Sequence, residues 1–198
     1  IEAVREAARQ MGLSMGESTA AVVGATGVIG RVCAQILARE VAELVLIGLR
    51  STMLAEVHAQ CSGHRARVRS GTDLGALSKA DLVLAVTSAT TAVIEPEHLK
   101  PGAVVCDVAR PRDVSEAVAK ERNDVLIVEG GVIQVPGDVN FNFSFGFPPK
   151  TAYACMSETM MLALEDSRLV VRRRRGCESG ERRQRHQQGD GGGKAQDS

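Results

Sequence analysis

Short aliphatic runs alternate with amphipathic stretches along most of this chain. Thr19–Val23, Leu44–Leu49, Asp81–Val86, Ala103–Asp107 and Val125–Val128 are unbroken or nearly unbroken apolar segments, long enough for strands and too short for helices. A weaker strand is expected at Ala66–Arg69. Between these runs the apolar positions fall three or four apart, which predicts helices over Val28–Arg39, Met53–Gln60 and Val114–Lys120, and a short one over Asp73–Ser78. Upstream, Val4, Ala7, Ala8 and Met11 share one face of a helix spanning Ile1–Leu13. Strand and helix in strict alternation, with strands apolar on both faces, predict a parallel sheet wrapped by helices. After the turn pair Pro136-Gly137 comes NFNFSFGF, which sets Phe141, Phe143, Phe145 and Phe147 at every second position. Two readings stay open there: an edge strand capping the core, or an apolar wall along a substrate channel. Pro148-Pro149 then breaks the chain before a long helix over Thr151–Val170.

Composition narrows this picture. With 3% aromatic and 44% hydrophobic residues, the core must be built from Val, Ala, Leu and Ile. The formal net charge of zero conceals an uneven distribution, for the segment from Arg172 to Ser198 carries eight basic and four acidic residues. That segment lacks apolar periodicity and reads as a disordered basic tail. The mildly acidic remainder gives no general case for binding nucleic acid. Three regions are expected: an incoming helix over 1–18, a nucleotide-binding domain over 19–170, and the tail over 171–198. The chain opens at Ile1 within a helical pattern, so a piece of a longer protein is expected. No apolar run approaches about 18 residues, so no membrane span is expected, and no signal peptide is visible. Five cysteines, at 33, 61, 106, 155 and 177, form no CxxC pair or Cys/His metal spacing, and we read them as reduced thiols of a cytoplasmic protein. His58, His64, His98 and His186 lie in surface-like or tail contexts without an evident partner.

The motif of greatest chemical content is GATGVIG, comprising Gly24, Ala25, Thr26, Gly27, Val28, Ile29 and Gly30. It joins the first strand to the first helix of the sheet. Gly24 allows the tight turn, Gly27 lets a pyrophosphate approach the backbone, and Gly30 lets the helix pack closely. The helix N-terminus then offers free amides to phosphate oxygens. An ordinary glycine-rich turn would share the spacing, but the strand–loop–helix context is the one a dinucleotide requires. These features place the chain in the α/β class, as a Rossmann-type doubly wound parallel sheet with a C-terminal helix.

The second strand bears on which dinucleotide binds. An NAD site commonly ends this strand in a carboxylate that holds the ribose hydroxyls. Here it ends Gly48-Leu49-Arg50-Ser51-Thr52. Arg50, with Ser51, is suited to a 2′-phosphate, so NADPH (NADP+) is the expected cofactor. A solvated loop arginine is the plainer alternative. At the end of the next central strand, Thr87 and Ser88 are small hydroxyl residues placed to border the nicotinamide, although any small-residue loop would look alike.

Cys155 stands near the start of the last helix, in KTAYACMSETMMLALE, where the positive end of the helix dipole favours thiolate. Lys150 lies just upstream. A thiolate there can attack a thioester, yet a free cysteine is equally at home as a small buried hydrophobe. Cys33 and Cys106 suit burial inside a helix and a strand, whereas Cys61 and Cys177 are expected to be exposed.

The helix AVREAARQMGL leading into AAVVGATGVIG, then LVLIGLR, VLIVEGGVI and above all ACMSETMMLALE, resembles the long-chain acyl-(acyl carrier protein) reductases of cyanobacterial type, to about Asp166. The shikimate dehydrogenase and glutamyl-tRNA reductase nucleotide-binding domains share parts of the pattern. The first resemblance implies an acyl-accepting cysteine at Cys155, NADPH on the loop of Gly24, Gly27 and Gly30, acyl carrier protein or acyl-CoA as substrate carrier, and an aldehyde product. CDVARPRDVSEAV departs from that family's usual counterpart, the tail after Val171 does not match, and the family's N-terminal substrate domain is absent. Two rivals therefore stand beside an acyl-thioester reductase: an NADP-dependent dehydrogenase of an alcohol or keto acid, and an NADP(H)-binding module without chemistry of its own.

Overall fold

The computed structural model describes residues 1–144 and 146–164. The chain divides into two units, Ile1–Gly131 and Val132–Ser198.

The first unit carries a six-stranded sheet. Its elements run α1 (Glu2–Gln10), β1 (Thr19–Val23), α2 (Val28–Leu37), β2 (Glu43–Ile47), α3 (Ser51–Cys61), β3 (Arg67–Gly71), β4 (Leu82–Ala85), β5 (Val104–Asp107), α4 (Glu116–Glu121) and β6 (Leu126–Glu129). Short 3-10 turns occupy Met15–Glu17, Leu74–Lys79 and Pro96–His98. The strand order is β3-β2-β1-β4-β5-β6, and every pairing is parallel. The order reverses between β1 and β4, so the loops leaving those two strands diverge and open a crevice at their carboxyl ends.

Alternation along each strand feeds two cores. Ala20, Val22, Leu44, Leu46, Leu82, Leu84, Val104 and Cys106 face one side, against Val4, Ala7 and Ala8 of α1, Ala34 and Leu37 of α2, and Leu54, Val57 and Cys61 of α3. Ala21, Val23, Val45, Ile47, Val83, Ala85 and Val105 face the other, against Leu77, Ile94, Leu99, Val114 and Val118. Small residues on the central strands let these layers approach closely, which is how a core without aromatic rings reaches close packing. The edge strand β3 is largely exposed, and an Arg69–Glu43 ion pair ties it to β2. The expected strand–helix alternation is therefore present, with boundaries displaced by at most three residues.

The second unit differs from expectation. Its described part has a two-stranded antiparallel sheet, β7 (Val132–Gln134) with β8 (Thr151–Tyr153), in the register Val132↔Tyr153, Ile133↔Ala152 and Gln134↔Thr151. Helix α5 (Ala154–Leu164) follows at once. The long helix expected from Thr151 thus begins three residues later, because Thr151–Tyr153 is a strand. Its end beyond Leu164, the basic tail and Cys177 lie outside the described residues. None of the described residues of the phenylalanine segment lies in a strand. Asn142 sits at φ +50° and Gly146 at φ +80°, and the Asn140 side chain accepts the Asn142 amide at 2.9 Å, so the backbone turns where alternation would need it extended. Phe143 is 70% exposed, while the Phe147 ring meets Tyr153 edge-on at 5.1 Å.

Candidate functional site

A cleft of about 640 Å³ opens at the carboxyl ends of β1, β2 and β4. Gly24, Thr26, Gly27, Val28 and Ile29 line its first side, Gly48, Leu49, Arg50, Met53, Thr72 and Leu74 its second, and Val86, Thr87, Ser88, Ala89, Val93, Val108, Ala109 and Arg110 its third.

The three glycines of the loop do different work. Gly24 has φ +85°, and a Cβ there would lie 2.6 Å from the Val86 carbonyl oxygen. At Gly30 a Cβ would run into the Gly24 carbonyl, so this glycine closes the loop on itself rather than packing the helix on the sheet as expected. Gly27 is the exposed N-cap of α2, and a Cβ there would meet only the Gly24 oxygen, at 3.4 Å. Its bare face is therefore open. The Gly24 and Ala25 amides both donate to the Ile47 carbonyl at 3.0 Å, which anchors the turn to β2. No side chain caps the first turn of α2, and its ladder begins with the Arg31 amide donating to Gly27 at 2.9 Å. The preceding first-turn amides are left to a ligand or to water. Ala25 and Gly30 lie buried beneath the loop and do not line the cleft.

Arg50 is the N-cap of α3 and is exposed, and among the described residues no carboxylate pairs with it. Ser51 is the first residue of that helix and lies outside the cleft lining. Neighbouring Leu49 is 94% exposed.

The third side was only half visible in the sequence. Thr87 and Ser88 are there, but the Thr87 hydroxyl donates to the Asp113 carboxylate and so holds the loop. Val93, Val108, Ala109 and Arg110 complete this wall without having been expected. Behind them stand two buried carboxylates, Asp107 and Asp113. Burial pushes the Asp107 carboxyl above its ordinary range, the Val114 and Ala109 amides pull it back, and neighbouring Asp113 adds to the rise. An Asp at the end of a strand, and the pattern ARPRD after it, were the available signals. Arg110 pairs with Glu129, which also accepts from Arg112 at 2.8 Å.

Cys155 belongs to the second unit, as the second residue of α5, and is exposed. Lys150, just upstream in the sequence, forms an ion pair with Asp138 at 2.8 Å. Burial pushes the thiols of Cys33, Cys61 and Cys106 up, which leaves them poor nucleophiles. Cys61, expected at the surface, is buried because the last turn of α3 points it into the core. His98 does have a partner: its Nδ1 accepts the Glu95 amide at 3.0 Å. Among the described residues, no cluster of three His, Cys, Asp or Glu could hold a metal, and no helix is long and apolar enough to cross a membrane.

Known proteins match this arrangement. The chain is 29% identical over 169 residues to the long-chain acyl-(acyl-carrier-protein) reductase of Synechococcus elongatus, covering 82% of this chain and 48% of that protein. It is 38% identical over 92 residues to the aminotransferase PigE of a Serratia strain, covering 44% of this chain and 10% of that one. The chain thus spans about half the length of the first and a tenth of the second. Among solved structures, glutamyl-tRNA reductase from Methanopyrus kandleri aligns with a TM-score of 0.53 at 25% identity, over 64% of this chain and 33% of that one. The 5-ketofructose reductase of a Gluconobacter strain aligns with a TM-score of 0.51 at 16% identity, over 63% and 49%, which speaks for the fold. Residues 5–129 match the family model for shikimate / quinate 5-dehydrogenase, and the chain belongs to that family as an oxidoreductase-type NAD(P)-binding domain.

Proposed function

We propose that the cleft of the first unit binds NADPH and that the chain is the cofactor-binding part of a reductase. The observation that carries this reading is the open face of Gly27, set between a strained Gly24 and a crowded Gly30 at the unpaired N-terminus of α2. A pyrophosphate fits where the loop has no side chain and the helix has amides to give. Arg50, Ser51 and the absence of a carboxylate at the end of β2 favour a 2′-phosphate on the adenosine ribose. Thr87 and Ser88 would border the nicotinamide. When bound, NADPH would supply hydride to an electrophilic carbonyl.

For the substrate, the reading we favour is an acyl thioester, delivered by acyl carrier protein or coenzyme A. It rests on the similarity to the Synechococcus reductase, which extends through the segment that holds Cys155. The Cys155 sulfur would attack the thioester carbonyl, expelling the carrier thiol and leaving the acyl group on Cys155. Hydride and a proton would then convert that group to an aldehyde and regenerate the thiol. The family assignment favours a second reading, an NADP-dependent dehydrogenase of an alcohol or keto acid in which Cys155 is not used.

Isothermal titration with NADPH and NADH tests the cofactor. Arg50→Ala should weaken NADPH by about 10- to 100-fold and leave NADH within about twofold. Equal losses would sink the 2′-phosphate assignment. Incubation of the complete protein with a radiolabelled acyl thioester, without NADPH, separates the two substrates. Label on Cys155, absent in Cys155→Ala, supports the thioester. A Cys155→Ala variant that makes aldehyde at the normal rate rules it out.

A further inference from the structure

Asp113 is fully buried behind the third wall of the cleft, and its hold on Thr87 is part of a wider set of bonds. Its Oδ2 accepts the Thr87 amide at 2.8 Å, and its Oδ1 accepts the Thr87 hydroxyl. The Thr87 oxygen in turn accepts the Ala89 amide at 3.0 Å. Through its main-chain carbonyl, Asp113 also takes the amides of Val93 at 2.8 Å and Ile94 at 2.9 Å. One residue thus holds both ends of the loop that leaves β4. Asp107 closes the companion loop after β5: its Oδ1 accepts the Ala109 amide and its Oδ2 the Val114 amide, each at 3.0 Å.

The sheet cannot do this work. The last sheet bonds are those of the Val86 amide to Val23 at 3.0 Å and the Val108 amide to Ala85 at 2.8 Å, so the wall residues Thr87, Ser88 and Ala109 lie beyond the ladder. A buried carboxylate is an expensive way merely to fill space, because an apolar side chain of similar volume avoids its desolvation. What it offers instead is direction, since charge-assisted hydrogen bonds are short and oriented.

We propose that Asp113 is a positioning residue for the nicotinamide half of the cofactor. It touches no ligand. It acts through Thr87, fixing the gap between the loop after β4 and the loop after β5, in which the ring would lie. The inference rests on the reading of the cleft as a dinucleotide site. Because the glycine loop and Arg50 are held by β1, β2 and the ends of α2 and α3, the adenosine half should be indifferent to Asp113.

The test compares two probes on the complete chain: NADPH, and adenosine 2′,5′-bisphosphate, which carries only the adenosine half. Affinities come from calorimetry, the ring's surroundings from nicotinamide fluorescence, and folding from circular dichroism. Asp113→Asn should weaken NADPH by about tenfold or more and reduce the rise in nicotinamide emission on binding, with the bisphosphate held within about twofold. Thr87→Val should do the same, and Thr87→Ser should regain most of the loss. The double variant Asp113→Asn/Thr87→Val should be no worse than the poorer single one, because the two residues act as one unit. Losses that multiply, or equal weakening of both probes, overturn the proposal, as does a folded Asp113→Asn with normal NADPH affinity. If Asp113→Asn does not fold, the Thr87 pair decides with the same probes. Wild-type protein that binds neither probe defeats the dinucleotide site itself, whereas binding of both without the selective loss defeats only the role of Asp113.

Discussion

Between Ile1 and Gly131 the central strands disappear from solvent, with Leu44 and Leu46 at 0% exposure, and the exposed apolar side chains Val28 and Leu49 stand at the cleft. Among the described residues from Val132 onward, several large apolar side chains stay at the surface: Phe143 at 70%, Met161 at 60% and Leu164 at 86%. Apolar content is similar in kind, so content does not explain the difference. What differs is the number of partners the backbone provides. Each central parallel strand has a neighbour on either side and a layer over either face, so every side chain has somewhere to go. A two-stranded hairpin has one neighbour per strand and little to bury against.

The sharpest way to break this comparison is to remove volume from the double-sided sheet. Leu46 is fully buried in the core beneath α1, α2 and α3. Leu46→Ala should cost about 2–5 kcal/mol, counting both the lost transfer energy and the cavity left behind. Urea unfolding monitored by circular dichroism gives the number. A loss under about 1 kcal/mol would mean that the layers close around the gap, and that the core is looser than its burial implies.

The glycine loop sharpens the contrast inside the first unit, between positions that serve the fold and the one we propose serves a ligand. Gly24→Ala forces a side chain into φ +85° and against the Val86 carbonyl, and should cost about 1–3 kcal/mol of stability. At Gly27 the backbone is already in an ordinary conformation, φ −71°, and the added methyl meets nothing closer than 3.4 Å. Gly27→Ala should therefore unfold at the wild-type temperature yet lose NADPH binding by about tenfold or more, because the methyl occupies the phosphate's approach. Thermal melts paired with titration separate the two substitutions. Parallel losses of stability and binding at Gly27 would return this residue to the fold.

Legibility followed the same divide. The strand Thr19–Val23 could be bounded to the residue, since an unbroken TAAVV run before a glycine has few other fates. The place of the glycine loop between β1 and α2 was equally plain, because its residues are contiguous and Gly24 and Gly30 answer local steric needs. The third wall was not. Thr87 is held by Asp113 and Ala109 by Asp107, and no periodicity encodes hydrogen bonds between side chains and distant amides. Phenylalanine alternation misled for a related reason. Period two signals a strand when the backbone can stay extended, and here Asn142 and Gly146 turn the chain.

Buried charge offers a smaller effect, peculiar to the first unit. The folded protein holds the Asp107 proton more tightly than the unfolded chain does, because burial raises its carboxyl above the ordinary 3.8. Its stabilising contribution is then fully present below that value and is lost as pH rises through the raised one. Glu6 and Asp124, held down to about 2 by Arg9 and Arg122, work in the opposite sense and lose their contribution as pH falls toward that value. Comparison with Asp107→Asn cancels those other groups. The stability advantage of wild type over Asp107→Asn should be greatest at the acidic end and shrink as pH rises through the carboxyl range. An advantage that grows with pH would place a positive charge near Asp107 that the geometry does not show.

The smallest expected effect tests the exposed side of the comparison. At 70% exposure Phe143 gains little from the fold, so replacing its ring should change stability by no more than about 0.5 kcal/mol. Phe143→Ser is the stricter choice over Ala, because a hydroxyl is welcome in water and costly in a packed site. Urea titrations on both proteins, with the slope checked for constancy, would resolve a difference of that size against the several kcal/mol expected at Leu46. A loss above about 2 kcal/mol would show that the ring is covered in solution. The segment would then owe its phenylalanines to packing after all, and exposure would cease to mark the second unit as differently built.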